Sequence, residues 1–165
     1  MFTKILVAID MSKLGQEIFA KSLSLAQLYG ATLQLLHVLS SEEENSPLPI
    51  PDNLTELYPA QGNDLTLESW RQEWHEFEAE GIEVLRSHVE AANELGLSAD
   101  YQQISGHPGK TICKVAQDWS ADLIVIGHRG RSGLSEILLG SVSNYVLHHA
   151  PCSVLTIYSP HQQET

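Results

Sequence analysis

The stretch DLIVIGHRGRSGLSEILLGS, residues 122–141, joins two kinds of sequence that want different backbones. Its first part is an almost unbroken Leu/Ile/Val run. Such a run, without strict apolar–polar alternation, marks a strand covered on both faces. Glycines follow at 127, 130, 133 and 140, with Arg129 and Arg131 between them and Ser141 directly after the last. Glycine lets backbone N–H groups converge without a Cβ in the way, and converging amides bind anions. A helix opening at Ser141 adds unpaired N–H groups and the positive end of a dipole, which favours a phosphate. The hydroxyls of Ser141 and Ser143 can add hydrogen bonds, and Arg129 or Arg131 can offset charge. The competing reading is a plain connection, in which Gly127 ends a strand and Ser141 caps a helix. The residues alone leave both open.

Three further runs resemble the first: KILVAI (4–9), TLQLLHV (32–38) and SVLTIY (153–158). A weaker one, SADYQQI (98–104), alternates and reads as a strand near a sheet edge. Helical spacing fills the gaps. Ser12 stands before Leu14, Ile18, Leu25 and Leu28, with Gly30 as the stop. Apolar positions then recur from Leu67 to Leu95, ended by Gly96. Pro108 suits the first turn of a helix bearing Ile112, Val115 and Trp119, and a last helix from Ser141 is halted by Pro151. The trace βαβαβαβαβ predicts an α/β fold with one five-stranded parallel sheet and helices on both faces. In such sheets ligands bind beyond the carboxyl ends of the strands, where strand order reverses. Gly127 ends a strand in that manner.

The 165 residues predict a single domain, 1–165. Residues 40–66 carry Pro47, Pro49, Pro51 and Pro59 beside an acidic run and lack periodicity, so they are expected to form a flexible or lid-like insert. Charge is lopsided. Residues 40–100 hold fifteen of the 21 acids and only Arg71 and Arg86 of the bases, within a net charge of −12. A nucleic-acid partner requires a basic face, and none is predicted. The apolar runs are too short to span a bilayer and no secretory signal is visible, which predicts a cytoplasmic protein without a membrane partner. Cys113 and Cys152 sit inside apolar patterns and are expected as buried free thiols.

Other motifs invite chemistry that their spacing does not support. GHPGKT (106–111) ends like a phosphate-binding P-loop, but that motif needs glycine where Ile104 stands. Eight histidines show no metal-ligand spacing. The Trp70/Trp74/Phe77 stripe reads as core packing, and Asp10 alone could be a turn or capping acid. No Ser–His–Asp set or carboxylate pair marks a catalytic centre, and His128 near the loop does not supply one. No catalytic or metal-ligating residue is therefore expected.

Gly127-x-x-Gly130, nine residues, then Gly140-Ser141 resembles the nucleotide signature of the universal stress protein family. The likeness extends along nearly the whole chain through KILVAID, LLHV, GHPGKTICKVA, ADLIVIGHRG and LLGSVSNYVLHHAPCSVLTI. It implies a Rossmann-like, adenine nucleotide α-hydrolase-like sheet of order 3-2-1-4-5, in which Asp10 faces Gly127 across the reversal point. It further implies bound ATP with Mg2+. Ala8, Asp10 and Val38 would line the adenine and ribose side, and Ile126 would pack on the nucleoside. Gly127, Gly130, Gly140, Ser141, Val142 and Ser143 would hold the phosphates, with Arg131 beside them. Two features depart from the pattern: His128 stands where many relatives have Ser or Thr, and the 40–66 insert is long. The family order also puts the apolar 153–158 strand at an edge, where it is expected to pair antiparallel with a second copy as a homodimer. The function implied is nucleotide-dependent regulation in the stress response, acting on a regulatory protein partner or on the protein's own assembly. The alternatives are a slow ATPase or phosphotransferase, and a nucleotide-free interaction protein working through acidic residues 40–100.

Overall fold

The computed structural model describes residues 1–43, 46–47, 63–129 and 140–159. Five strands, β1 (Lys4–Ala8), β2 (Thr32–Leu39), β3 (Ala99–Ser105), β4 (Leu123–Arg129) and β5 (Ser153–Ser159), pair in parallel in the order β3-β2-β1-β4-β5. The helices between them are α1 (Lys13–Tyr29), α2 (Asn63–Glu94), α3 (Pro108–Trp119) and α4 (Ser141–His149). Successive strand residues point to opposite faces, so an unbroken apolar run supplies two cores at once. On one face Ile5, Val7, Leu33, Leu35 and Val125 pack against Ile18 and Phe19 of α1 and Leu85 and Ala92 of α2. On the other, Leu6, Leu36, Ile124 and Ile126 meet Ile112, Val115 and Ala116 of α3 and Val146 of α4. Each fully buried aliphatic side chain contributes about 1.5–3 kcal/mol relative to exposure. Such runs suit β2, β1 and β4, the three inner strands, which are covered on both faces.

The edges read differently. β3 alternates half-buried and exposed residues, as its sequence predicts for an edge position. β5 is the opposite edge, and its Leu155 and Tyr158 remain 38% and 50% exposed. The lower ends of the two central strands are tied by Asp122. Its carboxylate accepts from the Thr3 amide (2.8 Å), the Thr3 hydroxyl (2.7 Å) and the Lys4 amide (3.1 Å). Partial burial pushes this carboxyl up, but the hydrogen bonds from Thr3 and Lys4 outweigh it and leave its pKa below the usual value.

Three local expectations are corrected. α2 begins at Asn63, not near Leu67, so the last residues of the 40–66 segment belong to a helix, while residues 44–45 and 48–62 of the expected insert lie outside the described residues. Ser12 occupies the N-cap position of α1 without capping it, because its hydroxyl donates to Asp10 instead. Cys113 and Cys152 are free thiols, yet half-buried rather than buried; burial still raises the pKa of both. Among the described residues no helix is long and apolar enough to cross a membrane.

Candidate functional site

β1 and β4 are neighbours whose following helices lie on opposite faces, so a crevice must open where their chains diverge. A cavity of about 400 Å³ occupies that crevice. This is within the size range of small-molecule sites, roughly 300–1,000 Å³. Of the residues singled out from sequence, Ala8, Asp10, Val38, Ile126, Gly127, Gly140, Ser141, Val142 and Ser143 line it together. Gly130 and Arg131 lie outside the described residues.

The far wall is the first turn of α4. Gly140 stands at its N-cap with no side chain to bond the exposed amides. The first helical bond there runs from the Asn144 amide to the Gly140 carbonyl at 2.9 Å, so the amides of Ser141, Val142 and Ser143 precede the helical ladder. Gly140 has φ −59° and ψ 157°, which any residue adopts. Among the described residues a Cβ built on it would meet only the Ser143 Oγ, at 3.7 Å. Neither backbone strain nor crowding among the described residues demands glycine at 140; close approach of something entering the cavity would.

Gly127 has a different reason. A Cβ there would come within 2.7 Å of Ile18 Cδ1 and 2.9 Å of Leu14 Cδ2, so its lack of a side chain lets α1 pack on β4. Its carbonyl accepts from the Ser143 hydroxyl at 3.0 Å. That bond ties the end of β4 to the first turn of α4 and commits the one proton of the buried Ser143 hydroxyl. Ser143 thus has its amide left to offer, while Ser141 is exposed and lines the cavity.

Asp10 combines both roles weighed for it. Its Oδ1 accepts from the Ser12 amide (3.1 Å) and the Ser12 hydroxyl (2.5 Å), closing the turn between β1 and α1, and it also lines the cavity. The turn is tight: a Cβ on Gly15 would collide with the Asp10 carbonyl oxygen.

Sequence reasoning missed His37, Glu42 and Glu43, all of which line the cavity. His37 is 2% exposed at the end of β2, and its Nε2 lies 2.8 Å from Glu43 Oε2. Glu43 Oε1 accepts from the Met11 amide at 2.7 Å. The available signal was a histidine within a Leu/Val strand followed six residues later by an acid, since a buried polar side chain needs a partner. The same ring meets Phe77 edge-on at 6.0 Å, and Phe77, Trp74 and Trp70 continue as an edge-to-face ladder along α2. Phe77 is buried and both tryptophans are half-buried, as a packing stripe requires.

His128 points away from catalytic use. It is buried, its ring lies 5.6 Å from that of Tyr158, and it is absent from the cavity wall. Among the described residues no group of three or more His, Cys, Asp or Glu is placed to hold a metal ion. GHPGKT supplies the start of α3, with Pro108 in its first turn and Tyr145 packed against Gly109.

The family model described as the universal stress protein family matches residues 1–157. The chain is 51% identical over 107 residues to universal stress protein Slr1101 of Synechocystis, covering 65% of this chain and 99% of that one. Universal stress protein UspA from Lactobacillus plantarum superposes with a TM-score of 0.70 at 25% identity, over 94% of this chain and 97% of that one. A universal stress protein family protein from Arabidopsis thaliana, solved with AMP bound, has a TM-score of 0.62 at 22% identity, over 99% and 96% of the two chains.

Proposed function

The chain belongs to the universal stress protein family, and from that premise we propose that it binds an adenine nucleotide, ATP with Mg2+, in the cavity between β1 and β4. The observation that carries the reading is Gly140: an ordinary backbone, room among the described residues where a side chain would project, and a helical turn beside it without a side-chain N-cap bond. Phosphate oxygens would accept from the amides of Ser141, Val142 and Ser143, each a charge-assisted bond favoured by the helix dipole. The nucleoside would lie toward Ala8, Asp10, Val38 and Ile126. Gly130 and Arg131 complete the phosphate side in this proposal. The AMP in the Arabidopsis protein supports an adenine nucleotide as the ligand class; at that identity the likeness itself carries the fold, so the assignment rests on the residues above.

Regulation fits the site better than fast turnover. Of the three carboxylates on the described lining, Asp10 and Glu43 are used to hold the protein's own turn: both Glu43 oxygens and Asp10 Oδ1 accept hydrogen bonds from it. Bound nucleotide would act by changing a partner's access or the protein's own assembly in the cytoplasm. We further propose a homodimer through β5, whose free edge carries exposed Leu155 and Tyr158.

The test begins with protein purified without added nucleotide, then denatured and its small molecules identified by chromatography with mass detection. ATP–Mg2+ is next titrated into the emptied protein. Release of ATP or ADP near one per chain with stoichiometric rebinding supports the reading; an empty protein indifferent to ATP refutes it.

A further inference from the structure

We infer that Glu43 is a positioning residue for this site, resting on the nucleotide reading above: its carboxylate latches the β1–α1 turn to β2 and thereby sets the nucleoside wall of the cavity.

Glu43 lies just past the end of β2, yet its side chain is only 7% exposed. A buried carboxylate is costly unless its oxygens find donors, and each Glu43 oxygen has one on a different element. Oε1 takes the Met11 amide at 2.7 Å, from the turn immediately after Asp10. Oε2 takes the His37 ring at 2.8 Å, from the residue immediately before Val38. One side chain therefore spans the two chain segments that carry Asp10 and Val38.

The rest of the neighbourhood makes His37 a firm anchor. It is 2% exposed, with Phe77 edge-on at 6.0 Å. On its other side α2 presents Gly81, where a Cβ would come within 2.7 Å of His37 Nδ1 and 2.8 Å of Gln103 Nε2. Gln103 is itself held by the Glu78 carbonyl at 3.2 Å. The ring cannot move toward α2, so Glu43 transmits a fixed position to Met11. Asp10 Oδ1 braces the same turn from inside through Ser12. Loss of Glu43 would leave the turn with the Asp10–Ser12 bonds and the backbone bond from Gly15 to Ser12, and without a side-chain tie to β2 through Glu43. The cavity would then widen on the side of Asp10 and Val38 and keep its α4 wall, which is held separately by the bond from Ser143 to Gly127.

The experiment compares wild type, Glu43→Ala and Glu43→Gln in full-length protein. Amide hydrogen exchange is read at Met11 and Ser12 without nucleotide, and affinities are measured for adenosine, AMP and ATP–Mg2+. Glu43→Gln keeps an oxygen for the Met11 amide and offers its N–H to the other tautomer of His37, so it guards against simple misfolding. In Glu43→Ala, Met11 protection is expected to fall about tenfold or more, the scale of one lost hydrogen bond to a charged group. All three ligands should weaken by the same factor, about tenfold, because the defect lies on the nucleoside side. Glu43→Gln should recover most of both. Unchanged Met11 exchange in Glu43→Ala, wild-type affinity in that variant, or a loss that grows with phosphate number would each overturn the assignment. Wild-type protein that binds none of the three ligands overturns the nucleotide reading itself, and this inference with it.

Discussion

Replacing Gly140 should move stability and binding independently, which separates a ligand cradle from a mere loop. The structure sets both magnitudes. At φ −59° and ψ 157° an alanine fits without strain, and among the described residues its Cβ meets nothing closer than the Ser143 Oγ at 3.7 Å. Removing glycine's extra freedom in the unfolded chain stabilises by about 0.4–1 kcal/mol. Against this, alanine is a poorer N-cap than glycine, at a cost of roughly 0.5–1 kcal/mol. The two terms nearly cancel, so Gly140→Ala should unfold within about 2 °C of wild type. Binding has no such cancellation. A side chain at 140 projects beside the amides of Ser141 and Val142, where a phosphate would sit. Gly140→Arg, which also folds because the space is open, fills that position and displaces about two charge-assisted bonds worth roughly 1.5–3 kcal/mol each. ATP affinity should fall by about 100-fold or more. Differential scanning fluorimetry without nucleotide reads the first quantity, and calorimetric titration with ATP–Mg2+ reads the second. Wild-type affinity in Gly140→Arg would refute the cradle. Equal losses of stability and affinity in Gly140→Ala would refute the reasoning about why glycine is there.

Three other outcomes follow from the same geometry. Asp122 has its pKa lowered in the folded chain by hydrogen bonds from Thr3 and Lys4, so the stability it adds is full above the ordinary aspartate value near 4 and lost as pH falls through the folded value. Asp122→Ala should cost about 1 kcal/mol at pH 7, modest because the site is partly solvated, and urea titrations of the two proteins should begin to converge as pH falls past about 4 and meet only below the lowered folded value. Gly81→Ala forces a methyl against His37 and Gln103; overlap costing about 1–3 kcal/mol exceeds the helix-propensity gain of about 1 kcal/mol, so chemical denaturation should show a net loss. Sedimentation equilibrium should show wild type as a dimer at micromolar concentration and a Leu155→Lys/Tyr158→Lys variant as a monomer, whereas a wild-type monomer removes the β5 pairing.

The fold was readable because its strands are buried on both faces. Runs such as Ile5–Ile9 and Leu123–Ile126 leave no plausible alternative to a covered parallel strand, and Gly30, Gly96 and Pro108 punctuate the helices where the sequence places them. The strand order is another matter: periodicity does not rank strands in space, and the order 3-2-1-4-5 came with the family likeness. Helix boundaries failed where polar sequence continued a helix. Asn63–Leu67 carries no apolar stripe, yet α2 runs through it. The candidate site was legible on the side where backbone geometry leaves a composition signature, namely glycine and serine around the start of α4. It was illegible where side chains distant in sequence converge. Met11, His37 and Glu43 form no motif, and only the pairing of β1 with β2 brings them together.

One signature can also hide two causes. Gly127 and Gly140 are equivalent in the pattern of spacings, but a Cβ on Gly127 would strike Leu14 and Ile18 of α1, whereas among the described residues a Cβ on Gly140 would meet only the Ser143 Oγ at 3.7 Å. Gly127 serves the packing of a helix on the central strands; Gly140 has no internal purpose in the described structure. The two also communicate, since the Ser143 hydroxyl bonds the Gly127 carbonyl and fixes the first turn of α4 relative to β4. The amides of that turn are therefore oriented by the core before any ligand arrives. Binding to a pre-ordered turn avoids the ordering cost that a free loop would incur. An acidic chain can then hold an anion without a basic face: the start of α4 supplies the positive end of a dipole, and Pro108 brings the start of α3 to the same cavity. The carboxylates of Asp10 and Glu43 are already engaged with Ser12, Met11 and His37, so they serve the protein's own β1–α1 turn.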